Sequence, residues 1–103
     1  MAKIEKTARK LVLKEGSLTL TFDKDSGKAT LQQKVLFISR KPVEFPIKDI
    51  DDISVRSEKD GLSGATIHHS VLHRRTGEIT ILTTEEPKDA AETVKQLRGF
   101  IGF

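Results

Sequence analysis

The chain alternates apolar and polar residues over most of its length and changes to a helical spacing only near its end. In residues 17–23, Leu18, Leu20 and Phe22 point to one side of an extended chain, which is the pattern of a half-buried strand. Residues 28–38 alternate in the same way, with Ala29, Leu31, Val35 and Phe37 on one side. The segment between them, DKDSGK, is rich in turn-forming residues. We therefore predict a hairpin of these two strands.

The rest of the β-pattern continues to residue 84. Residues 43–47 predict an edge strand or a short strand, because Pro46 cannot donate to a ladder. Residues 53–57 predict a further strand with Ile53 and Val55 inward, and residues 58–64 a polar loop. A second hairpin is predicted from residues 65–75 and 78–84, with Thr76-Gly77 as the turn. Residues 11–13 are compatible with a short strand or with the end of a helical turn.

A single helix is predicted over residues 87–101. Ala90, Val94, Leu97 and Ile101 are spaced by four, three and four residues, which makes one apolar stripe. Pro87 suits the first turn, where its missing N–H has no helical partner anyway. A series of strands followed by one helix indicates a mostly β fold with a C-terminal helix.

The composition is that of one soluble domain. The chain has 103 residues, 36% of them hydrophobic and 32% charged, and no cysteine. Disulfides, thiol catalysis and cysteine-bound metals are therefore excluded. The first ten residues lack the apolar core of a signal peptide, and no run of residues is apolar enough for a membrane span, so we expect a cytoplasmic protein.

The positive charge is concentrated at the start of the chain. Five cations and one carboxylate lie within residues 1–14, although the net charge of the whole chain is only +3. Such a segment is a candidate for binding anions, or a solvated arm without a ligand. The candidate anion-binding residues are Lys3, Lys6, Arg9, Lys10 and Lys14, with Arg74 and Arg75.

No pattern of residues predicts a catalytic, cofactor or metal site. His69 and His73 could chelate a metal on a helix, but on a strand they lie roughly 13 Å apart, too far for one ion. The turn at Asp23 and Asp25 lacks the spacing and the final glutamate of a calcium loop. The cluster of Asp49, Asp51 and Asp52 has no nucleophile or base spaced to join it, so a solvated turn is the simpler interpretation.

The aromatic residues argue against nucleic-acid binding and draw attention to the C-terminus. Proteins that bind single strands stack bases on exposed rings, but this chain has no Trp or Tyr, and Phe22, Phe37 and Phe45 fall on apolar strand faces. Phe100 and Phe103 end the chain. They either cover the core or form a surface for a partner or a second copy.

Four segments carry a family pattern: LTFDKDSGKATLQQKVLF, FPIKDIDDISV, IHHSVLHRRTGEITIL and AAETVKQLRGFIGF. Together they resemble the bacterial pleckstrin-homology-like domains. They lie within residues 17–103, which we expect to form a single domain, with residues 1–16 as a basic arm or short strand. The resemblance implies a partly open barrel of two near-orthogonal antiparallel sheets capped by the C-terminal helix.

The resemblance also implies a binding or scaffolding module without catalysis or cofactor. It does not imply phosphoinositide binding, because the first hairpin loop mixes Asp23 and Asp25 with Lys24 and Lys28. We expect association with another protein or with itself, or alternatively peripheral binding of anionic lipid or another polyanion through the basic arm. The predicted partner surface is Val43, Phe45, Ile47, Phe100 and Phe103.

Overall fold

A computed structural model describes residues 3–35, 38–39 and 41–103 of the chain. The described residues form two antiparallel sheets and one C-terminal helix, so the predicted mostly β class is confirmed. Neither sheet closes on itself. The chain divides into two compact units, Met1–Asp49 and Ile50–Phe103. The near-orthogonal packing of the sheets and a single domain over residues 17–103 stay predictions.

The first unit is one sheet with a short 3-10 helix at its end. The strands are β1 (Lys3–Lys6), β2 (Lys10–Glu15), β3 (Leu18–Asp23), β4 (Lys28–Val35), β5 (Ile38–Ser39) and β6 (Val43–Pro46), and the 3-10 helix is Ile47–Asp49. From one edge, the order is β1, β2, β3 and β4, and both β5 and β6 pair with the far side of β4.

The predicted first hairpin is confirmed as β3 and β4, with Leu20 opposite Leu31 and Phe22 opposite Ala29. All four side chains are buried, because alternate residues of a strand share a face. Residues 11–13 are strand, so the helical alternative is wrong. Leu36 and Phe37, which the sequence assigns to the second strand of this hairpin, lie outside the described residues.

The second unit is a three-stranded sheet followed by the helix. Its strands are β7 (Ile50–Lys59), β8 (Thr66–Arg74) and β9 (Gly77–Thr84), with β8 in the middle, and the helix is α1 (Pro87–Ile101). The predicted second hairpin and its turn are confirmed. The prediction that Val55 points inward is wrong: its side chain is 38% exposed, whereas Ile53 is buried, because β7 extends beyond the buried part of its face.

Helix α1 begins and ends where its sequence predicts. Pro87 occupies the first turn, and Gly102 ends the helix at a φ of 89°, a left-handed conformation that glycine adopts without strain. Ala90, Val94 and Leu97 are buried, as their spacing predicts, but Phe100 is buried in place of Ile101, which is half-buried. The helix packs on its own sheet, where the buried Ser70 hydroxyl donates to the Ala90 carbonyl.

Candidate functional site

The outer edge of β6 carries few free donors. The N–H of Ile47 donates to the Gly27 carbonyl at 2.9 Å, which continues the β4–β6 register and fixes its hydrogen-bonding phase. Backbone groups of successive residues point to alternate sides of a strand. The N–H and C=O groups of Phe45 therefore point to β4, and the backbone groups of Glu44 and Pro46 point outward. The backbone of Pro42 points outward as well. Of the three outward residues, only Glu44 has an N–H that could donate to a partner strand. A partner strand would therefore bind this edge poorly.

The predicted partner residues lie in both units, and only some of them are exposed. Val43 is 43% exposed, Ile47 is half-buried and Phe45 is buried. In the second unit Phe103 is 51% exposed, whereas Phe100 is buried. The side chains of Phe45 and Phe100 are therefore occupied inside the protein and do not belong to an exposed surface.

Val43 also lines a shallow depression with Leu31, Gln33 and Lys41. The depression has a volume of about 360 Å³ and is open to solvent. Its lining is as polar as it is apolar, unlike the mostly apolar, enclosed sites that bind small molecules. Among the described residues, this depression gives no support to a small-ligand pocket.

The outer edge of β7 differs from that of β6, because it is long and regular. The N–H of Asp60 donates to the Ala65 carbonyl at 2.8 Å, in register with the β7–β8 ladder. The same alternation therefore turns the backbone groups of Val55, Ser57 and Lys59 outward. This part of β7 has no proline, and its only register shift lies earlier, between Ile50 and Asp52. We call residues 55–59 the β7 edge.

Arg98 of the helix closes the N-terminal end of this edge. Its Nη1 donates to the Ile53 carbonyl at 3.1 Å and also binds the carboxylate of Asp52. The alternation along β7 turns the Ile53 carbonyl outward, so Arg98 occupies the acceptor next to the β7 edge. The ring of Phe103 lies 5.9 Å from the Arg98 guanidinium. Phe103 is therefore a neighbour of the β7 strand.

The exposed apolar side chains of the second unit follow the same strand. The exposed large apolar side chains in the described part of the chain are Val43, Val55, Leu62 and Phe103. Val55 lies in the β7 edge, Phe103 is joined to Ile53 through Arg98, and Leu62, which is fully exposed, follows the C-terminal end of β7. Apolar surface is thus present at both ends of a strand whose outer edge pairs with no other described strand, which is a typical feature of an association surface.

The predicted anion-binding residues divide between two faces of the first sheet. Lys10 and Lys14 alternate with the buried leucines of β2 and so lie on the exposed face, where Lys3 is directly opposite Lys14. Lys6 is opposite Leu11 and lies on the other face. Lys3 already binds the carboxylate of Glu5 at 3.4 Å. Like charges on directly opposed residues repel, so an anion at this pair would stabilise chiefly Lys14.

The remaining cations of that set are engaged or lie elsewhere. Arg9 binds the carboxylate of Asp25, with its Nε at 2.7 Å. Arg74 donates to the Gly77 carbonyl at 3.2 Å beside the β8–β9 turn, and Arg75 is exposed in that turn. Both belong to the second unit, and the N-terminal lysines belong to the first. The sequence analysis placed these residues in one set because all of them are positively charged, but the structure does not bring them together on one face.

A polar network crosses the second sheet on the face that carries Ser54. The hydroxyl of Ser54 lies 2.8 Å from Nε2 of His73, and Nδ1 of His73 lies 3.4 Å from Glu78. The other oxygen of Glu78 accepts from Arg56 at 2.7 Å. The hydrogen bond from Arg56, followed by the charges of Arg56 and His73, lowers the pKa of Glu78 below its ordinary value of 4.5.

The order of Ser54, His73 and Glu78 is that of a nucleophile, a base and an orienting carboxylate. Acyl transfer also needs N–H donors that converge beside the nucleophile. The register engages the N–H of Ser54 with Val71 and turns that of Val55 to the outer edge. We therefore interpret the network as a set of cross-strand bonds that fix the sheet.

The other two histidines are bonded to neighbouring strands as well. His69 contacts Glu58 at 2.8 Å and Thr83 at 3.0 Å, and His68 contacts Ser57 at 2.7 Å. Within the described ranges, no group of three His, Asp or Glu side chains is placed to hold a metal ion.

The acidic candidates also have protein partners. The carboxylate of Asp23 accepts from the N–H of Asp25 at 2.9 Å, which is turn geometry, and Asp52 binds Arg98. Of the acidic groups singled out from the sequence, Asp23 thus stabilises a turn and Asp52 forms an ion pair.

The β7 edge and Arg98 are the features that the sequence interpretation missed. The absence of proline and of a strong apolar alternation after Ile53 was a signal for the edge. The contact of Arg98 with Ile53 joins residues 45 positions apart, and no local pattern announces it.

Comparison of the chain with models of protein families, with curated proteins and with solved structures found no match. In the described part of the chain, no helix is both long enough and apolar enough to cross a membrane.

Proposed function

We propose that this chain is a non-enzymatic, pleckstrin-homology-like module that associates with protein by accepting an extended strand at the β7 edge. The antiparallel order of the strands and the single C-terminal helix support the family assignment. The observation that carries the association is the outward N–H and C=O groups of Val55, Ser57 and Lys59, in a strand that pairs with β8 alone among the described strands.

Strand addition suits this edge for a physical reason. Each outward residue offers one donor and one acceptor in a fixed spacing, so a partner strand gains several hydrogen bonds without rearrangement of the sheet. The predicted β6 edge offers mainly acceptors, because proline occupies positions 42 and 46. The function is therefore the protein association that the sequence leads us to expect, but its site is β7 and not β6. Phe103 remains beside this site.

A display library of random nine-residue peptides, panned on the wild-type protein, tests this function. Ser57→Pro removes the outward N–H of Ser57 and no backbone bond of the β7–β8 ladder. It also removes the contact of the Ser57 hydroxyl with His68, so Ser57→Ala, which loses that contact and keeps the N–H, is the matched control. Peptides that bind the wild type and lose at least about tenfold in affinity for Ser57→Pro are expected.

Amide hydrogen exchange locates the binding. Selected peptides should slow exchange at Val55, Ser57 and Lys59, which face outward, and leave Ser54, Arg56 and Glu58 unchanged because the ladder already protects them. A failure to select any peptide that distinguishes the wild type from Ser57→Pro would refute strand addition at this edge.

The second candidate function is binding of a polyanion by the exposed face of the first sheet. The observation that favours it is the position of Lys14 directly opposite Lys3, with Lys10 further along the same face of β2. Glu5 binds Lys3 at 3.4 Å, so Lys10 and Lys14 carry this candidate. Binding of vesicles with anionic lipid should weaken steeply with added salt and with Lys14→Glu, whereas Lys24→Glu in the nearby turn serves as the control. The absence of sedimentation with such vesicles at low salt would exclude this function.

A further inference from the structure

We infer that the strand accepted at the β7 edge is the same edge of a second copy of this chain, paired antiparallel about Ser57. This inference rests on the proposed function and names its partner. In that register Ser57 lies opposite Ser57 of the second copy, and Val55 lies opposite the second copy's Lys59. Each of these pairs exchanges two backbone hydrogen bonds, because the outward groups of residues 55, 57 and 59 are in the hydrogen-bonding phase.

The charges of the edge are self-complementary about that residue. Arg56 and Glu58 flank Ser57 and share one face of the sheet. Antiparallel pairing about Ser57 places Arg56 of each copy opposite Glu58 of the other, so that two opposite-charge pairs form at once. A register one residue away would set outward backbone groups opposite inward ones and lose the hydrogen bonds. A register two residues away would set Arg56 opposite Arg56, or Glu58 opposite Glu58, and so bring like charges together. The Arg56–Glu58 pairs are non-hydrogen-bonded pairs, in which directly opposed side chains lie closest together.

Arg56 and Glu58 keep their own partners in this arrangement. Arg56 binds Glu78 through Nη2 at 2.7 Å, and Glu58 accepts from His69 through Oε1 at 2.8 Å. A guanidinium has five N–H donors and a carboxylate has two oxygens, so each group has capacity for a second contact. The existing bonds hold both side chains on the sheet and reduce the entropy that a new pair must overcome.

The apolar residues at the two ends of the strand are complementary as well. Antiparallel pairing brings the N-terminal end of one β7 strand beside the C-terminal end of the other. Extension of the register places Ile53, with Arg98 and Phe103 beside it, next to Gly61 of the second copy. The fully exposed Leu62 follows that glycine. Contact between Leu62 and Phe103 of different copies would cover apolar surface that is exposed in the single chain.

Disulfide trapping tests the register directly, because the chain has no cysteine of its own. Opposed residues of a hydrogen-bonded pair have Cα atoms about 5.5 Å apart, within the range that a disulfide spans. Ser57→Cys should therefore form a covalent dimer on mild oxidation. Val55→Cys is the matched control, because its two copies lie four residues out of register, roughly 13 Å apart. We expect the Ser57→Cys protein to cross-link about tenfold faster or more.

Charge reversal tests the pairing without a new bond. Arg56→Glu and Glu58→Arg each replace two attractive contacts with two repulsive ones, so each should weaken the dimer roughly tenfold in sedimentation equilibrium. The double variant, Arg56→Glu with Glu58→Arg, exchanges the two charges and should restore association. Circular dichroism and thermal unfolding of each variant check that the Glu78 and His69 contacts are not needed for folding.

The outcomes separate this inference from the proposed function. Equal cross-linking of Ser57→Cys and Val55→Cys, or a double variant no better than the single ones, would overturn pairing about Ser57. If wild-type protein also stays monomeric from micromolar to millimolar concentration while selected peptides protect the β7 edge, self-pairing is wrong and strand addition stands. If neither peptides nor a second copy protect the edge, both proposals fail.

Discussion

Replacement of Arg98 by methionine should destabilise the fold much more than the same replacement of another arginine that binds an aspartate. Met keeps the apolar stem of the side chain and removes the guanidinium, which binds Asp52, the Ile53 carbonyl and the face of Phe103. The ion pair is half-exposed and contributes about 0.5 kcal/mol. The charged bond to the carbonyl contributes about 1 kcal/mol after allowance for the 39% exposure of the arginine, and the ring contact about 0.5 kcal/mol.

The sum is about 2 kcal/mol, which corresponds to a decrease in Tm of about 10 °C for a chain of this size. Arg9→Met is the control, because Arg9 binds Asp25 at the surface, with side-chain exposures of 64% and 67%. Within the described part of the chain, its side chain donates to no backbone carbonyl. We expect it to cost about 0.5 kcal/mol or less. Urea unfolding of the three proteins gives the comparison. Equal losses for Arg98→Met and Arg9→Met would refute the assignment of Arg98 as a link between the helix and the end of the β7 edge.

Three further predictions concern the second unit. Leu97→Ala should lower the free energy of unfolding, measured in urea, by about 2 to 5 kcal/mol, because Leu97 is fully buried. Ile101→Ala should lower it clearly less, because Ile101 is only half-buried. Gly99→Ala should stabilise the protein by about 0.5 to 1 kcal/mol, since Gly99 is helical and the position that a Cβ would take there is open, and a lower Tm would contradict this. Because Arg56 lowers the pKa of Glu78 in the folded state, its stabilisation is complete above the unfolded value of 4.5 and is lost as pH falls through the folded value. Wild type should therefore lose more stability than Glu78→Gln between about pH 5 and pH 3, as measured by urea unfolding at each pH.

The elements of this fold follow from local periodicity, and the candidate site does not. The alternation of Leu18, Leu20 and Phe22 and the spacing of Ala90, Val94 and Leu97 depend only on the geometry of one strand or one helix. That geometry assigns side chains to faces, but it does not say on which side a strand has its neighbour. The direction of the free backbone groups depends on the registers of β6 and β7, which local periodicity does not determine.

Two errors in the sequence interpretation have the same origin. Val55 was placed inside with Ile53 because both share a face, but burial depends on how far other elements extend over that face. Phe45 and Phe100 were assigned to a partner surface from their positions near an edge and a terminus, and both are buried. The contacts of Arg98 could not be predicted either, because Ile53 and Asp52 are distant from it in sequence.

The prolines at positions 42 and 46 have a consequence for the size of any assembly. A chain with two equally receptive edges can add a neighbour at each and grow without limit, which leads to fibres. The β6 edge offers few donors, and β9 carries an irregularity between the partners of Ser70 and Val71 that disfavours a regular neighbour. A twofold pair at β7 uses the same edge of both molecules. The pair therefore leaves neither β7 edge open to a third copy. Pro42→Thr with Pro46→Thr would give the β6 edge two further outward N–H groups and so allow further copies to add there.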